Sequence, residues 1–198
     1  MEIERIIYPV ETLGPGKRIV IWTIGCSKHC EKCINPELWE KNANHDIPIS
    51  QIVAQIKHLT IRQCVDGITI SGGDPLEQRE EFLNLIQALR PLCCDILVYT
   101  GYTLDEIDRL WSENERTSLR SNVSVLIDGR YRHELNDNHC PLCGSTNQVI
   151  HYFDEECEGI YGKYCNDKGR TLQTFHYSRG SISVGIHNKE ENSDGTKL

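Results

Sequence analysis

Four strand-like runs separated by segments of helical periodicity constrain this chain more than any other feature. Lys17 to Gly25 (KRIVIWTIG), Asp66 to Ser71 (DGITIS), Asp95 to Thr100 (DILVYT) and Val123 to Asp128 (VSVLID) are short, β-rich and apolar. Between the first two, Ser50 stands as a cap before Ile52, Val53, Ile56 and Leu59 at helical spacing. Leu76 to Arg90 is amphipathic through Phe82, Leu85, Ile86 and Leu89. Thr103-Leu104-Asp105-Glu106 has the form of a capping box opening a helix that runs to Trp111. Strands alternating with helices predict βαβ units, a parallel sheet and an α/β fold with right-handed crossovers. Ile3 to Val10 reads as an edge strand.

At 198 residues the chain is most simply one domain. Its apolar runs are strand-sized, and its N-terminus lacks the basic and apolar regions of a secretory signal, which points to the cytoplasm and away from a membrane. A net charge of −8 without a basic cluster disfavours nucleic acid as a partner. Ten cysteines in a reducing compartment point to metal or redox chemistry rather than to disulfides. Composition divides the chain into a core over 1–152, an extension over 153–187 and a polar, disordered tail over 188–198. Asn138 to Arg170 is rich in cysteine, glycine and charge, and Thr171 to Tyr177 with Ser181 to His187 reads as a hairpin turning at Ser178-Arg179-Gly180.

Two motifs sit at strand ends, where α/β folds bind ligands. Cys26, Cys30 and Cys33 form a C-x3-C-x2-C triplet after the first run, with no fourth cysteine close behind. A 4Fe–4S cluster normally takes four thiolates, so three from one loop leave one iron open to a substrate or cofactor. A zinc knuckle fits less well, because zinc motifs come as paired cysteine doublets. Ser71-Gly72-Gly73-Asp74-Pro75 follows the second run. Its glycines allow close approach of backbone to a ligand, and Asp74 can receive a cationic amine. Taken alone, the segment reads first as a tight turn with Asp74 as cap and Pro75 as first helical residue; beside the cysteine triplet, the ligand-binding reading takes precedence.

The triplet spacing resembles the signature of the radical S-adenosylmethionine superfamily. With Gly14-Pro15-Gly16, Asn35-Pro36-Glu37, Trp39 and Gly72-Gly73-Asp74-Pro75-Leu76, the chain is similar to the anaerobic ribonucleotide reductase activating enzymes. Tyr99-Thr100-Gly101-Tyr102, Leu126-Ile127-Asp128-Gly129 and Gly144-Ser145-Thr146-Asn147-Gln148 extend the resemblance in order. It implies an incomplete (β/α) barrel holding one 4Fe–4S cluster on Cys26, Cys30 and Cys33. S-Adenosylmethionine would then lie against Gly72, Gly73, Asp74, Thr100, Gly101, Asp128 and Gly129, with Asn147 and Gln148 at the mouth. The implied partner is a glycyl-radical enzyme such as anaerobic ribonucleotide reductase, with a flavodoxin-type or other electron donor. Lys32, where the superfamily carries an aromatic or small residue, departs from the pattern. So does Cys143, which replaces an arginine common in the family.

The chain also continues past the usual end of the family. Cys140-Pro141-Leu142-Cys143-Gly144 is a C-P-x-C-G knuckle that presents two thiolates to one metal. Cys157 and Cys165 are expected to complete a four-thiolate site for zinc or an auxiliary cluster, with His139 and His151 as nearby alternatives. Cys64, Cys93 and Cys94 are expected to be buried small residues. Two rival functions remain: a radical enzyme acting directly on a small molecule or peptide, and a non-catalytic metal-binding interaction module.

Overall fold

The computed structural model describes residues 1–178 and 180–189. A six-stranded sheet runs in chain order through β1 (Ile3–Val10), β2 (Arg18–Thr23), β3 (Gly67–Gly72), β4 (Ile96–Tyr99), β5 (Val125–Asp128) and β6 (Val149–Tyr152). The four central strands are parallel, and β1 and β6 close the edges antiparallel. The crossovers carry α1 (Ile49–Arg62), α2 (Arg79–Leu89), and the pair α3 (Leu104–Leu110) and α4 (Glu113–Asn122). No described helix is long and apolar enough to cross a membrane.

Both faces of the parallel strands are buried, which is why their sequences read as apolar runs rather than alternations. Ile19, Ile21, Ile68, Ile70, Ile96, Val98 and Leu126 face the helices, packing on Ile52 and Ile56 of α1 and Phe82, Leu85 and Ile86 of α2. Leu97, Val125 and Ile127 face the other way, onto Leu142, Cys143, Cys157, Tyr161 and Tyr164. That second layer comes from the knuckle and from α5 (Glu156–Asp167). A separate hairpin, β7 (Gln173–Tyr177) and β8 (Gly180–Val184), adds Val184 to a third apolar group with Val20, Trp22 and Leu38.

A buried charge joins the two layers. Arg18 has no exposed side-chain surface, and its guanidinium lies 2.6 Å from Asp95 Oδ2 while also donating to Thr69 Oγ1 and to the Ile68 and Pro15 carbonyls. The Tyr161 hydroxyl of α5 donates to Asp95 Oδ1 at 2.8 Å.

Several expectations shift in detail. α1 starts at Ile49 after Pro48, so Ser50 lies in the first turn instead of capping it. The helix expected from Leu76 begins as a 3-10 turn over Pro75–Gln78 before α2. Thr103 and Glu106 do form the capping box. α4 carries a second box, Ser112 with Glu115, but its one buried side chain, Leu119, leaves almost no apolar period to read. Residues 190–198 of the expected tail lie outside the described residues, as does Arg179 of the hairpin turn.

Candidate functional site

The cysteine loop leaves β2 and is held by backbone. The Gly25 N–H donates to Leu38 O at 2.8 Å, and the Cys26 N–H donates to Trp39 O at 2.9 Å. His29 and Lys32 take positive φ, 44° and 57°, so the chain turns sharply twice between its cysteines. The His29 ring stacks on Trp39 with centroids 4.7 Å apart. The end of β3 presses against this loop. A Cβ on Gly72, whose φ is +119°, would lie 2.3 Å from Thr23 N, and one on Gly73 would lie 2.5 Å from Gly25 O. The Gly73 N–H donates to Thr23 O and the Asp74 N–H to Gly25 O, both at 2.8 Å. The paired glycines therefore first serve the close passage of two backbones.

A cleft of about 480 Å³ opens at the carboxyl ends of the parallel strands. Cys26, Cys30 and Cys33 line it on one side, and no other cysteine among the described residues does. Gly72 at the end of β3, Gly73 just after it, Thr100 and Gly101 after β4, and Gly129 after β5 line it too. Burial pushes the Cys26 and Cys30 thiols above their usual range, so loading a metal there would displace protons. Gln148 also lines the cleft, tied by its carboxamide to Gly144 N at 2.7 Å and to Gly129 O at 3.0 Å. Asn147 is not in the lining; its amide donates to Arg130 O at 2.8 Å.

The two carboxylates expected to touch the cofactor lie behind the wall. Asp74 is 1% exposed. It accepts from Leu76 N at 3.1 Å, Thr100 Oγ1 at 2.9 Å and Gly101 N at 3.0 Å. Burial raises its pKa against the opposing pull of Lys28 and these donors. Asp128 accepts from Leu104 N at 2.6 Å and Val149 N at 3.3 Å, with His151 Nε2 2.9 Å away. Both carboxylates shape the strand ends from within. Both are therefore placed to position the cleft rather than to line it.

Sequence reading missed a latch between the two motifs. Lys28, inside the cysteine triplet, lies 2.6 Å from Glu77 and 3.7 Å from Asp74, with its ammonium over the Tyr102 ring. The Ser27 hydroxyl donates to the same Glu77 oxygen at 2.5 Å. Partial burial works to raise the Glu77 pKa, but Lys28 and Ser27 outweigh it and hold the carboxyl at about 2. Nothing in the spacing of Lys28 and Glu77 announces this pairing. It also missed that Gly185, Ile186, His187, Asn188 and Lys189, beyond β8, line the cleft. The expected tail thus begins inside the site.

The second cysteine set divides. Cys140 and Cys165 pack against the apolar cluster that buries Cys143, Cys140 is electrostatically linked to the thiols of both, and the Cys143 N–H points at Cys140 Sγ at 3.2 Å. Cys157 stands apart. Its charged neighbours are Asp95, Asp154, Arg18 and Arg90, and burial first, then those carboxylates, pushes its thiol up to about 11. Cys157 and Cys165 share a helix and are eight residues apart in α5, so the rise of about 1.5 Å per residue puts them roughly 12 Å apart, too far for one metal. The expected four-thiolate set is thereby reduced to three. His139 is exposed beside Asp137, and His151 faces Asp128; neither joins the thiols. Cys64 and Cys94 are exposed rather than buried, and Cys93 is half-buried.

A family model described as a 4Fe-4S single cluster domain matches residues 12–151. The chain is 34% identical over 154 residues to the anaerobic ribonucleoside-triphosphate reductase-activating protein of Haemophilus influenzae, covering 74% of this chain and 95% of the relative. The protein of that name from Escherichia coli (strain K12) is 34% identical over 153 residues, covering 73% and 95%. That of Enterobacteria phage T4 is 32% identical over 134 residues, covering 65% and 81%. The family match ends before α5 and the β7–β8 hairpin.

Proposed function

The chain belongs to the anaerobic ribonucleoside-triphosphate reductase-activating proteins, and from that membership we propose that it installs a glycyl radical on a partner reductase by radical S-adenosylmethionine chemistry. The observation that carries this reading is the cleft at the strand ends. Three thiols from one loop line it together with the glycine-rich ends of three successive parallel strands. The donor set fits a 4Fe–4S cluster that keeps one iron free of protein thiolate. The cleft also has the size and concavity of a small-molecule site. A reduced cluster held there would supply the one-electron chemistry that splits S-adenosylmethionine into methionine and a 5′-deoxyadenosyl radical able to abstract a hydrogen atom from a glycine of the partner.

The chain's own residues have separable tasks in this reading. Cys26, Cys30 and Cys33 hold the cluster. The backbone of Gly72, Gly73, Thr100, Gly101 and Gly129 receives the cofactor. Asp74 is a positioning residue: it fixes Thr100 and the Gly101 N–H while its own charge is matched by Lys28. Asp128 does the same for the start of α3. The Lys28–Glu77 latch fixes the loop's distance from β3. We read the sheet as one side of an incomplete (β/α) barrel, with residues 1–152 as the catalytic core and the remainder as an added element, and the protein as cytoplasmic.

A second reading, direct action on a small molecule or peptide, draws on one observation: the 185–189 strap at the rim of the cleft. One experiment separates the two. Anaerobically reconstituted protein should hold about four irons and, once reduced, cleave S-adenosylmethionine to 5′-deoxyadenosine. Mixed with a cognate anaerobic reductase, it should give a glycyl-radical signal by electron paramagnetic resonance. Cys26→Ala, Cys30→Ala and Cys33→Ala should each abolish cleavage. Cleavage surviving in all three removes the cluster assignment, and cleavage without a glycyl-radical signal moves the target to the second reading.

A further inference from the structure

Outside the cleft, the largest concentration of reactive side chains is the Cys140, Cys143 and Cys165 group on the opposite layer of the sheet. We infer that these three thiols form a second metal site, for a single zinc-type cation, that staples the end of α5 to the knuckle. The inference does not rest on the proposed activity.

Two thiols of one turn and a third from α5 meet in the same apolar cluster behind the sheet. Cys140 and Cys143 belong to one C-x2-C turn, and the Cys143 N–H is directed at Cys140 Sγ at 3.2 Å. Such N–H···S contacts stabilise thiolate charge around a metal. Cys165, from the last turn of α5, packs against the same cluster as Cys140. Two sulfurs each about 2.3 Å from a tetrahedral ion stand about 3.8 Å apart, which is a sulfur–sulfur contact distance. The thiols do not yet close round one point; among the described residues no set of three or more His, Cys, Asp or Glu does, the Cys26–Cys30–Cys33 loop included. Cys140 and Cys165 are half-exposed, so water can fill the fourth position.

Two neighbours fit a charged centre. Three thiolates around a divalent ion carry one net negative charge, and Arg170 lies over the turn, donating to Cys140 O at 2.9 Å and Cys143 O at 2.7 Å. The Tyr99 hydroxyl is enclosed without a hydrogen-bond partner, and Cys143 is the ionisable group that acts on it most strongly. Arg170 also donates to His187 O at 3.0 Å, and Asn138 Oδ1 accepts from Lys189 N at 2.6 Å. The staple thereby anchors the strap that lines the cleft.

The test is elemental analysis of the anaerobically purified, cluster-reconstituted full chain. One zinc per chain is expected in addition to the cluster iron. Cys143→Ser and Cys165→Ser should each lose the zinc and keep the iron, and Cys157→Ser should keep both. Since metal-binding free energy is folding free energy at such a site, stripping zinc from the native chain with a chelator should lower its melting temperature by several degrees, and the same treatment of Cys165→Ser should not. Zinc retained in both variants overturns the inference. So does zinc that disappears with Cys26→Ala instead, additional iron in place of zinc, or a Cys140–Cys165 disulfide in the freshly purified protein.

Discussion

The strand-end cleft and the layer behind the sheet are built from the same resource, cysteine, in opposite ways. At the cleft, three cysteines sit on one loop that folds sharply back on itself, so their proximity is local and spacing alone announces it. Behind the sheet, Cys140 and Cys143 share a turn, but Cys165 arrives from a helix and Cys157, on that same helix, is carried away. Local geometry brings ligands together where one short segment supplies them all. Where two segments supply them, helix register decides, and spacing in sequence says little. The two regions also differ in what the sheet needs from them. The cleft is placed by strand ends, whereas the rear layer covers Leu97, Val125 and Ile127 with Leu142 and Cys143 from the family-matched segment and Cys157, Tyr161 and Tyr164 from beyond it.

If the rear layer is structural, breaking its link to the sheet should cost the most. Asp95→Ala strands Arg18 as a buried, unmatched charge, with an expected loss of about 3–5 kcal/mol measured by denaturant unfolding. An unchanged midpoint would mean that the two layers are not coupled through this pair. The next effect belongs to the cleft. Gly73→Ala places a methyl 2.5 Å from Gly25 O, against backbone that cannot swing aside. It should cut S-adenosylmethionine cleavage at least about tenfold, an activation cost near 1.4 kcal/mol, while circular dichroism still reports the native fold. Wild-type turnover in this variant would show that the loop and β3 need not meet.

Glu77→Gln sharpens the comparison through pH. Because Lys28 and Ser27 hold the Glu77 carboxyl at about 2, below its ordinary value of 4.5, its contribution is full above pH 4.5 and lost as pH falls towards 2. The variant should therefore be less stable by about 1 kcal/mol at neutral pH, a figure reduced for the solvent at this partly exposed pair, and the gap should close on acidification. A gap that widens instead would reverse the sign of the latch. Tyr161→Phe is the mildest change. It removes only the hydroxyl that donates to Asp95, and about 1 kcal/mol should be lost with cleavage activity unchanged.

Much of the fold is legible without coordinates. The strand runs, the order of elements and the Thr103 box all follow from patterns local to a few residues. α4, β6 and α5 are not legible in that way. Leu119 is the single buried side chain of α4, and α5 interrupts its apolar positions with Gly159 and Gly162. Their burial is set by the sheet they pack on, not by their own period. At the site, Cys26, Cys30, Cys33 and the strand-end glycines can be named from sequence as candidates. Asp74 and Asp128 can be named too, but not their direction: a carboxylate at a strand end serves ligand or backbone equally well in sequence. Only the competing donors, Leu76 N, Thr100 Oγ1 and Gly101 N for the first, Leu104 N and Val149 N for the second, show that both turn inward.

By itself, the sequence determined the parallel α/β core, the family and the three-cysteine loop, because each is a short-range pattern whose chemistry depends on residues within one or two turns of chain. The tertiary structure alone decided which cysteine of α5 meets the knuckle, how Lys28 comes to lock onto Glu77, and that Gly185–Lys189 returns to the cleft. Those are contacts between segments separated by many residues. Their formation depends on the packing of whole elements, to which no local pattern in the chain corresponds.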